Sequence, residues 1–320
     1  MKALVALALA CAVACGDGGS APGGRTVRLA LNWFPESEHG GYFAAIVHGL
    51  YREAGLAMDV RPGGPGVAVV PRVASREVEF GVVNADDVVA ARAAGAAVVA
   101  LLAPIHRSPW CVMVHEAAGI HRLADLHDLT LAMQAGSPYL AWLERHARLG
   151  NVRVVPYPGT VAEFLVNPRY AQQAYVFSEP ILAAAKGGDP LCLPIAELGF
   201  DPYASVLVTS DALLHAEPEL VRGVVEASAR GWARYAEEPG PTNVHILSRN
   251  PEIGRAALDR GAAALRPLVL DDDARRDGVG SMRAERWQTL VGQMRELGLV
   301  EGLLDATALH DGRFVPRPAP

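Results

Sequence analysis

The alternation of apolar and polar residues near the start of the chain predicts a strand, a loop, a helix and a second strand. Residues 27–31 alternate as a half-buried strand does. A polar and aromatic loop follows over 32–41, and a helix is predicted over 42–54, ended by Gly55 as its C-terminal cap. A second strand over 56–60 completes a strand–helix–strand unit. In such units ligands bind where strands end and helices begin.

Short apolar runs continue to alternate with helical patterns up to about residue 210, and helical patterns dominate after that. The alternation predicts an α/β fold. Prolines at 239–241 predict a loop, and the acidic run 271–273 predicts a solvated turn that caps a helix. The further predicted strands are 80–83, 98–102, 110–115 and 204–209, and the further predicted helices are 67–75, one starting near 86, 217–237, 250–265 and 283–297.

The chain has 320 residues, which suits two lobes better than one small domain. The helix and strand alternation breaks at 104–109, where we expect the first crossing into a second lobe, and the strand at 204–209 reads as the return. We therefore predict a discontinuous first lobe over 26–106 and 207–316, and an inserted second lobe over 107–206. A ligand cleft is expected between them.

The amino-terminal segment 1–14 carries one positive charge and then an unbroken apolar run, which predicts a signal peptide. Small residues precede Cys15, and a Gly-, Ser- and Pro-rich tether follows over 15–25. This arrangement resembles the cleavage box of bacterial lipoproteins, so we expect a lipid on Cys15. The alternatives are an ordinary secretory signal with an incidental Cys15, and cleavage before Cys11, which leaves a shorter apolar run.

Composition narrows the class of protein. Apolar residues make up 51% of the chain, so a large core can form, and the net charge of −6 gives no reason to expect nucleic acid or an anionic membrane surface as partner. No cysteine or histidine spacing suggests a metal site, and no cofactor is expected. An oxidising compartment permits a disulfide between Cys111 and Cys192. The interpretation adopted here is instead a pair of buried free cysteines.

Loops that follow the predicted strands carry flat aromatic and acidic side chains together with no arginine or lysine. A single aromatic residue at such a position is more often part of the core than a ligand contact. The indication of a ligand site therefore comes from the aromatic and acidic residues taken together. His39 is expected to donate a hydrogen bond within its polar loop, and in an enzyme it would instead be a base or a metal ligand. It is also a candidate ligand contact. Asn84 and Asp86 suit a helix cap as well as the cleft. The candidate ligand-binding residues are Asn32, Trp33, Glu36, His39, Asn84, Asp86, Ser137, Tyr139, Tyr157, Phe177 and Glu179, with Glu38 as a further acceptor.

The segments LNWFPESEH and GLYREAGLAMDV resemble the start of substrate-binding proteins for thiamine-pyrimidine precursors, a superfamily that also holds sulfonate- and nitrate-binding proteins of ABC importers. The resemblance covers most of the chain. It implies a type II periplasmic-binding-protein fold, a membrane permease as partner, a monomer, and a place outside the cytoplasmic membrane. The acidic loops favour an aminopyrimidine or similar small heterocycle over an anion, which would require cationic donors.

The same superfamily includes yeast-type thiamine pyrimidine synthases, which resemble the segment VEFGVVNADDVVAARAAG without a gap. Their cofactor-holding lysine falls at Val83 and their reactive histidine at Asp87, and their cysteine-rich iron motif has no counterpart near Cys192. Valine forms no Schiff base with pyridoxal phosphate. We therefore expect a binding protein with no catalytic residues, and keep the synthase and the sulfonate- or nitrate-type binder as alternatives.

Overall fold

The structure is a computed structural model that describes residues 24–318. The predicted signal peptide, Cys15 and nearly all of the tether lie outside the described residues. Within residues 24–318, ten strands form two separate five-stranded sheets. In chain order they are β1 (Arg25–Ala30), β2 (Leu56–Arg61), β3 (Phe80–Val83), β4 (Val98–Leu102), β5 (Trp110–His115), β6 (Thr130–Met133), β7 (Arg153–Pro156), β8 (Tyr170–Tyr175), β9 (Pro190–Pro194) and β10 (Val206–Ser210).

The first sheet has the strand order β2-β1-β3-β10-β4. Strand β1 pairs in parallel with β2 and β3, whereas β10 is antiparallel to both β3 and β4. The three strands β3, β10 and β4 are buried along their whole length. Their nearly continuous runs of valine, leucine and small residues are typical of strands covered on both faces.

The second sheet has the order β7-β6-β8-β5-β9, and all five strands come from residues 110–194. Strand β6 is parallel to β7 and β8, while β5 is antiparallel to β8 and β9. Both sheets are therefore mixed, and the predicted α/β class is confirmed. The chain leaves the first sheet after β4 and returns to it at β10. The lobe boundaries given above stay a prediction.

Helices cover the sheets, and no helix within 24–318 is long and apolar enough to cross a membrane. In chain order they are α1 (Gly40–Val47), α2 (Leu50–Glu53), α3 (Val69–Ala74), α4 (Ala85–Ala93), α5 (Pro138–His146), α6 (Ala162–Val166), α7 (Glu179–Ala185), α8 (Asp211–Ala216), α9 (Pro218–Glu237), α10 (Gly240–Arg249), α11 (Arg255–Val269), α12 (Asp272–Asp277) and α13 (Ala284–Glu296).

Helices α1 and α9 cross at glycines and share one hydrophobic core with strand β1. A Cβ added at Gly41 would lie 2.1 Å from the ring of Trp232, and one added at Gly231 would lie 2.2 Å from the carbonyl oxygen of Gly41. The absence of side chains at these positions lets the two helix backbones approach. This contact places the loop before α1 directly over the end of the first sheet.

The predicted single helix over 42–54 is wrong in one respect. Helix α1 begins at Gly40 and ends at Val47, and Gly49 separates it from α2. The backbone of Gly49 has φ 72°, the left-handed region in which glycine is favoured and an α-helix cannot continue. The sequence pattern missed the break because the apolar residues keep helical spacing across it.

Two further predictions need correction. The loop predicted at 239–241 is shorter than expected, because helix α10, which was not predicted, already begins at Gly240. Pro241 fits there because the first turn of a helix needs no N–H donors. The helix predicted over 250–265 is α11, which starts at Arg255 and continues past Pro267. The acidic turn was placed correctly, since the Asp271 carboxylate accepts the Ala274 N–H at 2.8 Å and caps α12.

The expectation of free cysteines was wrong, because Cys111 and Cys192 form a disulfide with a Cα–Cα distance of 5.5 Å. Cys111 lies on β5 and Cys192 on the neighbouring β9. Sequence could not show this pairing, because the two residues are 81 positions apart and their proximity depends on the order of strands in the second sheet.

Candidate functional site

The loop after β1 is held by a chain of hydrogen bonds that ends on Glu38. Nε2 of His39 lies 2.9 Å from Oδ1 of Asn32, and the Asn32 amide donates to Oε1 of Glu38 at 2.9 Å. The Ser205 hydroxyl donates to the same carboxylate oxygen at 2.8 Å. Because the amide nitrogen of Asn32 faces a carboxylate, its oxygen must face His39, so His39 is the donor of that bond.

His39 is fully buried, and burial lowers its pKa to about 3. The imidazole is therefore neutral at physiological pH. Its placement fits the expected role of a hydrogen-bond donor inside the loop. It acts on the rest of the site through Asn32, whose side chain it orients.

A second group of hydrogen bonds joins Glu36 and Glu179. The Ser178 hydroxyl donates to Oε2 of Glu36 at 2.8 Å, which connects the loop after β1 to the loop after β8. Glu179, the first residue of α7, accepts the Tyr157 hydroxyl on one oxygen and the Tyr175 N–H on the other, both at 2.8 Å. The candidate residues Glu36, Tyr157 and Glu179 are thus brought together from both sheets.

Asn84 and Asp86 lie at the amino end of α4. Asn84 is the N-cap residue, and its backbone N–H donates to the Asp87 carboxylate at 3.0 Å. Its side-chain oxygen accepts the Tyr175 hydroxyl at 3.1 Å, a bond that also spans the two sheets. Asp86 is 5% exposed, and its Oδ1 has no hydrogen-bond partner among the described residues. Both expectations for Asn84, capping position and cleft contact, are compatible with this geometry.

Ser137 and Tyr139 lie at the start of α5. Ser137 is the N-cap, and its hydroxyl oxygen accepts the Tyr139 N–H at 3.2 Å. The Tyr139 ring stacks on Trp110 with a centroid distance of 4.3 Å and meets Phe200 edge-on at 5.1 Å. The Tyr139 ring is thus stacked on one face and is 1% exposed, so its polar hydroxyl is the group considered below as a ligand contact.

Trp33 and Phe177 have different surroundings. Trp33 is partly exposed, meets Phe34 edge-on at 5.6 Å, and lies so close to Gly159 that a Cβ added there would be 3.5 Å from its ring. It therefore reaches across to the loop after β7. Phe177 is 2% exposed and belongs to the core of the first sheet. Of the four aromatics predicted to offer a flat face, Trp33 and Tyr157 are the ones with partly exposed side chains.

Four acidic side chains gather at this site without a cation. None of the ion pairs within residues 24–318 includes Glu36, Glu38, Asp86 or Glu179.

The electrostatics of these four carboxyls follow from burial. Burial raises the pKa of Glu36 well above its usual range, and the nearby Glu38 and Glu179 raise it further. Burial raises the pKa of Glu38 to about 7, against the opposing hydrogen bonds from Asn32 and Ser205. Burial also raises the pKa of Asp86 and of Glu179. Such a cluster is a functional-site signal, because unpaired buried carboxylates are costly.

Sequence reasoning missed four residues that complete the site: Tyr175, Ser178, Ser205 and Trp110. Tyr175 and Ser178 flank the predicted Phe177, and position at the carboxyl end of β8 was a signal available for both. Trp110 opens β5 directly after the predicted crossing. Ser205 carried no sequence signal, since its role depends on a left-handed backbone with φ 54° that turns its hydroxyl toward Glu38.

Within residues 24–318, no group of three or more His, Cys, Asp and Glu side chains has the arrangement of a metal site. The carboxylates instead alternate with hydroxyl and amide partners drawn from both sheets. The arrangement suits an organic ligand with several hydrogen-bond donors.

Solved structures with this fold include binding proteins and an enzyme. The alkanesulfonate-binding protein SsuA from Xanthomonas axonopodis pv. citri, solved with bound MOPS, matches with a TM-score of 0.67 at 16% identity, covering 91% of this chain and 100% of that chain. The desulfurization enzyme DSZB matches with a TM-score of 0.58 at 16% identity, covering 90% and 97%. These likenesses define the fold, which is that of the periplasmic binding proteins.

The family is defined by sequence. The family model described as NMT1/THI5 like matches residues 36–241, so the chain belongs to the NMT1/THI5-like family, as its resemblance indicated. A relative, the riboflavin-binding protein RibY from Chloroflexus aurantiacus, is 24% identical over 304 residues, covering 91% of this chain and 86% of the relative.

Proposed function

We propose that this protein is the solute-binding component of an ABC importer, and that it binds a small flat nitrogen heterocycle that presents N–H or O–H donors. A thiamine-pyrimidine precursor is the ligand we put first. The observation that carries the proposal is a set of three buried carboxyls, Glu36, Glu38 and Asp86, together with the half-buried carboxyl of Glu179. None of the four has an ion-pair partner in the described chain.

The physical argument is one of complementarity. A buried carboxylate without a cation is destabilising, and hydrogen bonds from a donor-rich ligand offset part of that cost. Glu179 lies beside Tyr157, and Trp33 reaches toward the same loops, so one ring could stack while its amino group donates to a carboxylate. The riboflavin named for the relative RibY is also a flat heterocycle with hydroxyl donors, which agrees with this class of ligand.

A sulfonate fits the site less well. The neighbour SsuA is named for alkanesulfonates, but at 16% identity it shares the fold alone. Burial raises the pKa values of the four carboxyls, and an anion placed beside them would oppose their ionisation further. The described chain offers no cation at this site to pair with such an anion. We propose no catalytic role, since Val83 and Asp87 stand where the synthases carry their lysine and histidine.

The setting of this function follows from the sequence features outside the described residues. We propose that a lipid on Cys15 anchors the protein at the outer side of the cytoplasmic membrane, with 15–25 as tether. The two lobes, 26–106 with 207–316 and 107–206, would close on the ligand by a hinge at the two crossings. The bonds Asn84–Tyr175 and Glu36–Ser178 then hold the closed form.

Calorimetry with three ligands tests the ligand class. Wild-type protein should bind a 4-aminopyrimidine precursor or riboflavin, and bind taurine weakly or not at all. Glu179→Gln exchanges one acceptor for a donor and should weaken heterocycle binding by about tenfold or more. Trp33→Ala removes a stacking face and should weaken it by about fivefold.

The matched control for Glu179→Gln is Glu163→Gln, which removes the same charge from an exposed position on α6. It should leave affinity unchanged. Tight binding of taurine by the wild type, together with no binding of either heterocycle, would replace this proposal with the anion-binding alternative.

A further inference from the structure

Four polar atoms deep in the site have no hydrogen-bond partner among the residues described. They are Oδ1 of Asp86, Oγ of Ser108, Nε1 of Trp110 and the hydroxyl of Tyr139. The side chains are all at least nine-tenths buried, with exposures of 5%, 7%, 8% and 1% respectively. Of the four, the hydroxyls of Ser108 and Tyr139 lie close enough to share a long hydrogen bond, which still leaves one O–H donor of the pair free. Because buried polar groups in proteins are nearly always paired, this donor together with Asp86 and Trp110 indicates a partner that the described chain does not itself supply.

Their contacts show that these residues are neighbours. Trp110 and Tyr139 stack at 4.3 Å, and Trp110 meets Tyr175 edge-on at 5.0 Å. The Tyr175 hydroxyl bonds to Asn84, two residues before Asp86. Burial raises the pKa of Tyr139, and the charge of Asp86 raises it further, as expected of neighbouring groups. The four come from α4 on one side and from the start of β5 and α5 on the other.

The donors and acceptors define a chemistry. The Trp110 N–H is a donor only, the two hydroxyls can donate, and the Asp86 carboxylate accepts. A ring carbonyl has two lone pairs and can accept from Trp110 and Tyr139 together, while an N–H beside it donates to Asp86. The ring nitrogen of an aminopyrimidine accepts one bond and would leave one donor unpaired.

We propose that Asp86, Trp110 and Tyr139 form an inner subsite that recognises the lactam edge of a flat heterocycle, a ring carbonyl adjacent to an N–H. The inference rests on the proposed function and narrows its ligand class to heterocycles with a lactam edge, such as a flavin ring, which then replace the thiamine-pyrimidine precursor as the ligand expected first. The outer carboxyls Glu36 and Glu179 then receive the amino or hydroxyl donors at the other end of the same ligand.

The test uses lumiflavin, a flat flavin ring without a sugar chain, and its analogue methylated at the imide nitrogen. Fluorescence titration of the wild type should show a preference for lumiflavin of about tenfold. In Asp86→Asn that preference should fall to within about twofold. Trp110→Phe and Tyr139→Phe should each weaken lumiflavin binding by about threefold to tenfold, since each removes one donor and keeps the ring.

Matched controls are Trp287→Phe and Tyr170→Phe. Trp287 is buried with an unpartnered N–H of its own, but it packs near Tyr203 and His310, and Tyr170 faces the other side of the second sheet. Both controls should leave affinity and preference unchanged. The melting temperature of each variant shows whether it is folded. If Asp86→Asn does not fold, the affinities of Trp110→Phe and Tyr139→Phe for lumiflavin test the subsite instead.

Four outcomes would overturn the inference. The first is equal affinity of the wild type for the two flavins. The second is that Asp86→Asn, Trp110→Phe and Tyr139→Phe bind as the controls do. Either result would mean that the four atoms hydrogen-bond to buried water and not to a ligand. Binding of an aminopyrimidine without binding of lumiflavin would reject the lactam edge and leave the proposed function standing. Binding of no heterocycle at all would reject both.

Discussion

Glu38 shows how one residue can link ligand affinity to proton binding. Its carboxyl is 1% exposed and accepts hydrogen bonds from Asn32 and Ser205. Burial raises its pKa from 4.5 to about 7, so the folded protein holds this proton more tightly than the unfolded chain does. Protonation of Glu38 therefore contributes to the free energy of unfolding. This contribution is fully present below about pH 4.5 and is lost as the pH rises through about 7.

The ligand-free protein should therefore lose stability between pH 6 and pH 8. A carboxyl with a pKa near 7 in the folded protein lowers the free energy of unfolding by about 1 kcal/mol over that interval. This corresponds to a fall of a few degrees in melting temperature. Thermal melts at the two pH values measure it. Glu38→Gln removes the titrating group and should show a smaller loss.

The comparison between wild type and Glu38→Gln is needed because His39 acts in the opposite direction. Its lowered pKa means that protonation of the unfolded chain destabilises the fold as pH falls below about 6.5. An identical pH dependence in wild type and variant would show that Glu38 is not the group responsible.

At the scale of elements, the contact between α1 and α9 supports the site, because α1 follows directly on the loop that carries Glu36, Glu38 and His39. Gly41 and Gly231 meet backbone to backbone in this contact. A side chain at either position would force the helices apart and shift the loop with them.

Gly231→Ala should destabilise the protein by about 2 kcal/mol or more, since its Cβ would meet the backbone of α1. Gly292→Ala is the matched control. Gly292 is also inside a helix, but a Cβ there would have no atom within 4 Å, so the substitution should stabilise by up to about 1 kcal/mol. Urea unfolding midpoints compare the two, and equal effects would contradict the packing argument.

Most strands could be predicted from local pattern. The bounds of β3, β4 and β5 coincide with the predicted 80–83, 98–102 and 110–115, because short apolar runs between polar turns have few other interpretations. The break at Gly49 and the helix that starts beside Pro241 could not be predicted as readily, since both depend on the role glycine or proline takes in its tertiary setting.

The sequence could indicate which loops form the candidate site, but not what each side chain does there. Position at strand ends pointed to Glu36 and Glu179, which lie near each other, and to Asp86, which lies near Tyr175. Their role in binding a ligand stays a prediction.

Position at strand ends could not distinguish Phe177, whose ring faces the core, from Trp33, which stays partly exposed. That difference in exposure depends on which helix covers each loop. The order of strands in the second sheet and the disulfide could not be predicted either, because both depend on contacts between residues that are far apart in sequence.

At the scale of the whole molecule, the chain crosses twice between two sheets. The proposed tether would let this unit bind its ligand beside a membrane. The proposal of a lipid anchor rests on the small residues before Cys15 and on the tether after it. In that arrangement the tether sets how far the unit reaches from the bilayer.

Cys15→Ala should prevent lipid attachment. Labelling cells with radioactive palmitate should give a labelled wild-type protein and an unlabelled variant, and the variant should appear in the released fraction or as an uncleaved precursor. The matched control is Cys11→Ala, which should keep the label. Unchanged label in Cys15→Ala would reject the anchor.

The position of β10 has a consequence for biosynthesis. Strand β4 pairs with the rest of the first sheet only through β10, which is made more than a hundred residues later. Until residue 210 has left the ribosome, β4 has no partner, whereas every strand of the second sheet is complete by residue 194. The inserted part can therefore complete its sheet first. Strands β1, β2 and β3 can pair with one another once residue 83 has been made, but β4 joins them only after residue 210, so the sheet that begins first is the last to be completed.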